Sequence, residues 1–309
     1  LGLDAQRKLW FQFMTKKIFF SQLLLTVISL WSTACSSVFY QGDQRRYLDP
    51  RDDHWEYDDI FFQSKDDTRL HAWVFRPVPE WRGGFRGTVV QFHGNAQNIS
   101  SHFTSLVWLT ELGYQLFTFD YRGYGKSAGR STPEGVHEDG LAALDKALSI
   151  HRERQGGVLP SLTKPVFVVI GQSLGGAVAS RALADWKDRA EVDLLVLDST
   201  FPSYQAVAAQ KLRQSWLTWL FHPLAWILIS DRYAPLPHLK AIQTPALLIH
   251  DRRDPIVPFE QGQLFAQELP GVLDFWDYSK NSHIAYFSSG PEQRERFIQL
   301  ADQISKNKK

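Results

Sequence analysis

The chain holds one cysteine, Cys35, and one methionine, Met14. A lone cysteine excludes an intrachain disulfide, a thiolate zinc cluster and a dithiol redox pair. Charge of one sign is also missing: 34 Lys and Arg face 33 Asp and Glu, for a net charge of +1. With no basic surplus to neutralise phosphates, nucleic acid is not expected as a partner. No internal repeat is visible, and no apolar run reaches the roughly 20 residues that cross hydrocarbon. What is present, 44% apolar and 22% charged residues over 309 positions, excludes disorder and collagen. α/β folds often run to about 250 residues as one domain, so a single domain is expected.

The N-terminus has the layout of an export signal. Met14 is followed by Lys16 and Lys17, then by the apolar run Ile18 to Trp31, interrupted by Ser21, Gln22, Thr26 and Ser29. The small residues Ser32, Thr33 and Ala34 precede Cys35. This segment resembles a bacterial lipoprotein signal, which implies that Cys35 is lipidated and anchors the mature chain to a membrane. Ordinary cleavage and an uncleaved anchor are the alternatives. Ser32 departs from the pattern, in which leucine or a similar residue usually stands three before the cysteine. Ser36, in place of an aspartate after the cysteine, is compatible with delivery to an outer membrane in a Gram-negative cell. The true start is expected at Met14, with 1–13 upstream sequence, 36–56 a linker, and 57–309 the folded domain.

From about Tyr57 onward, short β-rich runs alternate with amphipathic stretches, the pattern of an α/β fold on a mostly parallel sheet. Eight strands are predicted: Asp59 to Gln63, Leu70 to Phe75, Thr88 to Phe92, Gln115 to Asp120, Val166 to Ile170, Leu194 to Leu197, Ala246 to His250 and Leu273 to Asp277. The later runs are continuously apolar, as strands covered on both faces should be. Helices are predicted over Ile99 to Leu112, Pro133 to Arg154, Leu174 to Trp186 and Pro291 to Ser305. An insertion from about Phe201 to Ile242 is longer than a simple crossover needs. It carries Trp216, Trp219, Phe221, Trp226, Ile227, Leu228 and Ile229, and Pro223 suggests two short helices with a turn. It is either a packed elaboration or a lid whose aromatic face lines an acyl pocket or touches a bilayer.

The strongest chemical signal is Gly171-Gln172-Ser173-Leu174-Gly175, directly after an apolar strand and directly before a helical pattern. That context is the one a nucleophile elbow requires. A serine needs an imidazole to take its proton and a carboxylate to fix the imidazole. In this fold the chain order is Ser, then Asp or Glu, then His. Asp254 lies in the loop after the strand ending at His250, and His283 is the only histidine beyond His250. Asp251 and Asp198, each at a strand end, are the other candidates for the acid. Two backbone N–H groups must hold the oxyanion. Leu174 offers one by its place after the nucleophile, and Asn95, in the His93-Gly94-Asn95-Ala96 loop, is the choice for the second. His93 precedes the serine, fails the order, and is read as a loop organiser. Asp120-Tyr121-Arg122-Gly123-Tyr124-Gly125-Lys126-Ser127 lacks the spacing of a phosphate loop and is read as architecture near the site.

Taken together, HGNAQN at His93, DYRGYGKS at Asp120, GQSLGG at Gly171, DRRDPIVP at Asp251 and NSHIAYF at Asn281 resemble the α/β-hydrolase superfamily. The resemblance is to its Bem46-like branch and ABHD-type relatives, and it covers roughly Asp59 to the C-terminus. It implies a serine hydrolase without metal or other cofactor, often membrane-associated, acting on acyl esters or thioesters such as lysolipids, monoacylglycerols or S-acylated proteins. Asn281 and Ser282 depart from it, since relatives commonly have glycine there. One rival is a peptidase of the prolyl-oligopeptidase type. Those usually carry an N-terminal propeller, and the stretch before the first strand is too short for the roughly 4–8 blades such a domain needs. The other is an envelope protein that binds without catalysis, which an intact triad disfavours.

Overall fold

Valine, isoleucine, leucine and phenylalanine fill the runs predicted as strands, and in the computed structural model each becomes one. The structure describes residues 39–156 and 164–308. Met14, the export signal and Cys35 lie outside the described residues. The strands are β1 (Tyr57–Gln63), β2 (Arg69–Phe75), β3 (Gly87–Phe92), β4 (Tyr114–Asp120), β5 (Val166–Gln172), β6 (Leu194–Asp198), β7 (Ala246–Asp251) and β8 (Val272–Tyr278). They form one sheet in the order β1-β2-β4-β3-β5-β6-β7-β8. β1 and β2 pair antiparallel, as do β2 and β4; the other pairs are parallel. This is the expected α/β-hydrolase architecture.

Side chains alternate across a strand, so the apolar runs feed two cores. Val90, Phe117, Val169, Leu197 and Leu248 point to one face. There they meet α1 (Pro133–Gly156), α2 (Leu174–Asp185), α3 (Tyr204–Gln214) and α4 (Phe259–Glu268). Val89, Leu116, Val168, Val196 and Leu247 point to the other, covered by the 99–112 segment and α5 (Pro291–Asn307). The parallel strands end together at Phe92, Gln172, Asp198, Asp251 and Tyr278, the edge where open α/β sheets place their ligands.

Four expectations differ in detail. The helix predicted over Ile99 to Leu112 is one α-turn (Ile99–His102) followed by two 3₁₀ pieces, Phe103–Ser105 and Val107–Leu112. Thr104, Ser105 and Thr110 each turn a hydroxyl onto the carbonyl three residues back, and such back-bonding competes with the α ladder. α4 was not predicted, because Gly262 interrupts its pattern; that glycine lets the helix press against the His250 ring.

In the insertion, α3 is the crossover helix, packed through Tyr204, Val207 and Ala209. Pro223 does not separate two helices: it sits inside a 3₁₀ turn, Trp219–Leu224, which runs directly into the short helix Ala225–Leu228. The stretch expected as a linker, 36–56, is packed over its described part. Tyr40 is buried and shares a 2.9 Å hydroxyl hydrogen bond with Tyr204. Gln41 donates its N–H to Asn95 Oδ1 at 2.7 Å, Gly42 bridges to Gln97, and Asn98 Nδ2 donates to the Arg45 carbonyl at 2.7 Å. This strap lies over the loop after β3 because that loop presents amide groups that would otherwise lack partners.

The Asp120 motif is architecture, as expected. Arg122 is clamped by the fully buried Asp139, with Nε 3.0 Å from both carboxylate oxygens and Nη2 2.8 Å from Oδ1, while Nη1 reaches Asp66 at 2.8 Å. Removing one member of a buried pair leaves the other charge without compensation. Asp139→Ala is therefore expected to lower the unfolding free energy in urea by about 3–5 kcal/mol. A loss below about 1 kcal/mol would show that Arg122 finds water or another partner at no cost.

Candidate active site

The end of β5 is built around a conformation that side chains avoid. Ser173 has φ 54° and ψ −121°, outside the regions open to ordinary L-residues. Two bonds hold it there: its N–H donates to the Asp198 carbonyl at 2.9 Å, and its carbonyl accepts from Thr200 Oγ1 at 2.6 Å. The glycines on either side are required by contact. A β-carbon on Gly171 would lie 2.5 Å from the Gly176 Cα, and one on Gly175 would overlap the Phe92 carbonyl of β3. The turn thus lifts Ser173 at the head of α2.

The loop after β7 supplies the acid. Asp254 accepts from the N–H groups of Ile256 (2.7 Å) and Val257 (2.9 Å) through Oδ1, and its Oδ2 lies 2.7 Å from His283 Nδ1. Its carboxylate is shut off from solvent, and the His283 ring is part-buried. With Nδ1–H donating to Asp254, the Nε2 of His283 is the basic nitrogen. The His283 loop reaches the elbow, since Ile284 donates its N–H to Ser199 Oγ (3.3 Å), next to Asp198, which bonds Ser173.

The other two aspartates do different work. Asp251 closes β7, and its Oδ2 accepts from Lys280 N, Ser282 N and Ser282 Oγ, each at 2.9 Å. Burial pushes its carboxyl up, but the backbone donors of Arg253, Ser282 and Lys280 outweigh that and hold it below the usual range. Asp251 is therefore a staple that fixes the His283 loop. The departure at Asn281-Ser282 is accounted for here: Asn281 takes φ 55°, a left-handed conformation that asparagine tolerates nearly as glycine does, while Ser282 adds a bond to Asp251. Asp198 is fully buried between elbow and histidine loop; Oδ1 accepts from Ser199 Oγ at 3.1 Å and Oδ2 has no hydrogen-bond partner.

Both residues expected to hold the oxyanion flank Ser173. Leu174 opens α2, and a first helical N–H has no intrahelical acceptor. Gly94 faces the nucleophile closely enough that a β-carbon there would touch the Ser173 Cβ at 3.5 Å, and Asn95 follows it. The Asn95 side chain is occupied elsewhere: Oδ1 accepts from Gln41 N and from the Tyr124 hydroxyl at 3.0 Å. His93 is wholly buried, with Nδ1 2.8 Å from the Gly94 carbonyl, and burial drives its pKa well below the usual value. It is a neutral organiser of this loop.

Sequence reasoning passed over His102, which stacks on His93 with ring centroids 5.0 Å apart and lies 3.2 Å from the Ala96 carbonyl. It also passed over His250, whose Nε2 holds the Val257 carbonyl at 3.0 Å; its place at a strand end was the available signal. Among the described residues, no three His, Cys, Asp or Glu side chains gather as a metal site needs.

A family model described as "Serine aminopeptidase, S33" matches residues 83–237. The protein YfhR of Salmonella typhi is 31% identical over 257 residues, which make up 80% of this chain and 80% of that one. Protein bem46 of Schizosaccharomyces pombe is 32% identical over 170 residues, 54% of this chain and 52% of that one. Among solved structures, the esterase Pf2001 of Pyrococcus furiosus is similar with a TM-score of 0.63 at 23% identity, covering 86% of this chain and 98% of that chain. That last likeness is one of fold.

Burial pushes the Asp198 carboxyl up to about 6, against about 3.9 for a free aspartate. Between about pH 4 and 6 the folded protein keeps a proton that the unfolded chain has released. Its stabilising contribution is complete below about pH 4 and is lost as the pH rises through 6, amounting to about 3 kcal/mol. Asp198→Asn has no such titration. Urea unfolding at pH 4 and pH 8 should show the wild-type chain losing about 2–3 kcal/mol more than the variant on going to the higher pH. The same pH response in both would mean that Asp198 ionises in the fold without cost.

Proposed function

The chain belongs to the α/β-hydrolase superfamily, in the family described as serine aminopeptidase S33 and in its Bem46-like branch, and from that premise we infer that this serine hydrolase cleaves a carboxylic ester or thioester of a lipid-like acyl group. The observation that carries the reading is the 2.7 Å bond from His283 to a buried Asp254 on the two loops that border Ser173. In the proposed reaction Ser173 Oγ attacks the acyl carbon while its proton passes to His283 Nε2. The carbonyl oxygen becomes an oxyanion between the N–H groups of Leu174 and Asn95, aided by the positive end of α2. As the tetrahedral intermediate collapses, the bond to the leaving alkoxide or thiolate breaks and His283 returns the proton to it. Water, deprotonated by the same nitrogen, then frees the acid and restores Ser173.

An acyl substrate is favoured over a peptide by the exposed apolar stretch Trp216 to Ile227, which follows the helix that touches the acid loop. α3 meets that loop through Lys211 Nζ, 2.7 Å from the Pro255 carbonyl, and continues into the tryptophan-rich stretch. The same reading has the chain exported and lipid-modified at Cys35, supported by the basic, apolar and small-residue layout before it. A lipoprotein of this kind would meet its substrate at a membrane.

The test is turnover of a p-nitrophenyl ester series from C2 to C16 against aminoacyl p-nitroanilides, using the full chain. Ester hydrolysis should prevail, and Ser173→Ala should lower kcat by about 10⁴-fold or more. Anilide turnover without ester turnover would overturn the reading in favour of a peptidase, and no turnover with no fluorophosphonate labelling of Ser173 would overturn it in favour of binding. Asp251→Ala, which loosens the histidine loop, should lower kcat by about 10–100-fold with little change in KM. An unchanged kcat would show that Asp254 alone positions His283.

A further inference from the structure

Most large apolar side chains that this fold leaves in water lie in one place. Twelve such residues are exposed among those described, and eight of them fall between Trp216 and Ile227. Trp216 is 85% exposed, and Leu217, Trp219, Leu220, Trp226 and Ile227 are each more than half exposed. Scattered apolar residues need no explanation, whereas a contiguous patch of this kind marks a binding surface.

Three observations point to its occupant. First, charge: from Ser199 to Ser230 there is no Asp or Glu, while Lys211 and Arg213, both exposed, stand just before the patch; just after it the exposed Arg232 follows Asp231, whose carboxylate is turned to Ser203 and Gln205 at the root. A cationic margin around a tryptophan- and leucine-rich tip matches the headgroup and acyl layers of an anionic bilayer. Second, the tip meets many of its own backbone needs. Thr218 and Trp219 donate to the Ser215 carbonyl, Phe221 to Thr218 and Ile229 to Ala225, and Gln205 Nε2 ties the root by donating to the Ile229 carbonyl at 2.8 Å. Local pairing of this kind is required of backbone that leaves water. Third, position: the chain after the apolar run Ile18 to Trp31 joins the domain at Phe39, whose ring packs on Tyr204 at 5.0 Å and on Phe201 at 6.1 Å. Those residues are the root of the same insertion. The chain's entry into the described fold and the root of the tip therefore share one aromatic cluster.

We propose that residues 215–228 form a second membrane contact, immersed in the interfacial layer of an anionic phospholipid bilayer, which brings the loop bearing Asp254 toward the lipid through the helix that touches it. This holds whether or not Ser173 acts on a lipid, because patch, margin and root are independent of the catalytic reading. Lys211 links the two regions, since it bonds the Pro255 carbonyl from the last turns of α3.

The experiment uses the full chain carrying Cys35→Ser and Trp216→Cys, labelled at the new cysteine with an environment-sensitive fluorophore. A matched chain carries the label at Lys187→Cys, an exposed site on another helix end. Vesicles are 70% phosphatidylcholine and 30% phosphatidylglycerol. The label at 216 should shift to the blue and be quenched by spin-labelled lipid, while the label at 187 should do neither. Arg213→Glu, or vesicles of phosphatidylcholine alone, should reduce the shielded fraction several-fold, each basic residue being worth about fivefold in partitioning. A vesicle-bound protein whose label at 216 stays in water would overturn the proposal, since the N-terminal run alone would then account for binding. A label already shielded without vesicles would also overturn it, in favour of the N-terminal segment when the shielding is independent of protein concentration and of a second copy when it rises with concentration.

Discussion

Everything at the reactive edge of this protein depends on one crowded crossing, where β5 turns into α2 against β3. No β-carbon fits at Gly175 because the Phe92 carbonyl occupies its place, so α2 starts almost on top of the neighbouring strand. That proximity forces Ser173 into its unfavourable backbone conformation, which costs on the order of 1–3 kcal/mol. The bonds from Asp198 and Thr200 to its backbone hold it there. It also brings the loop that begins at His93 up to the nucleophile, since the residue after Phe92 has nowhere else to go. The hydrolase is organised from this contact outward: helix head on one side, the loop that begins at His93 on the other, and the later strand ends closing the third.

Three aspartates surround the histidine loop, and the environment of each decides its use. Asp254 takes backbone N–H groups on one oxygen and the imidazole on the other, which suits a carboxylate that must stay charged beside a developing imidazolium. Asp251 is saturated by donors from a loop about thirty positions away in the chain and acts as a clasp. Asp198 is fully buried, and burial raises its carboxyl to about 6, above the usual range. The same side chain thus serves as partner of the imidazole, as staple, and as a buried group whose charge is costly, within one cleft.

Much of this was legible in the sequence, and the rest was hidden for identifiable reasons. The strands could be read because residues such as Val168 to Ile170 and Leu194 to Leu197 are buried on both faces and so must be continuously apolar. Their ends were read short, since Gln172, Asp198 and Asp251 are polar yet still pair in the ladder. Ser173, Asp254 and His283 could be picked out by chain order and by position after a strand. The clasp role of Asp251 could not, because its partners are amide groups and amide groups have no sequence. Nor could the fate of the stretch before Tyr57: Gln41 bonds through its backbone, and only the aromatic pair Phe39-Tyr40 hints that the stretch is more than a spacer.

That strap changes what counts as the unit of this fold. Every strand and all three residues of the proposed triad lie at or beyond Tyr57, so a boundary drawn by the strands would cut there, although Tyr40 belongs to the core. Such a cut would release Asn95 from Gln41 and Tyr204 from Tyr40, leaving the Asn95 side chain held by Tyr124. Chain length before Tyr57 is thus an internal brace and not slack. With Cys35 lipidated as proposed, only residues 36–38 would stand between that anchor and Phe39, which would keep the domain on a short leash and its work close to the membrane surface.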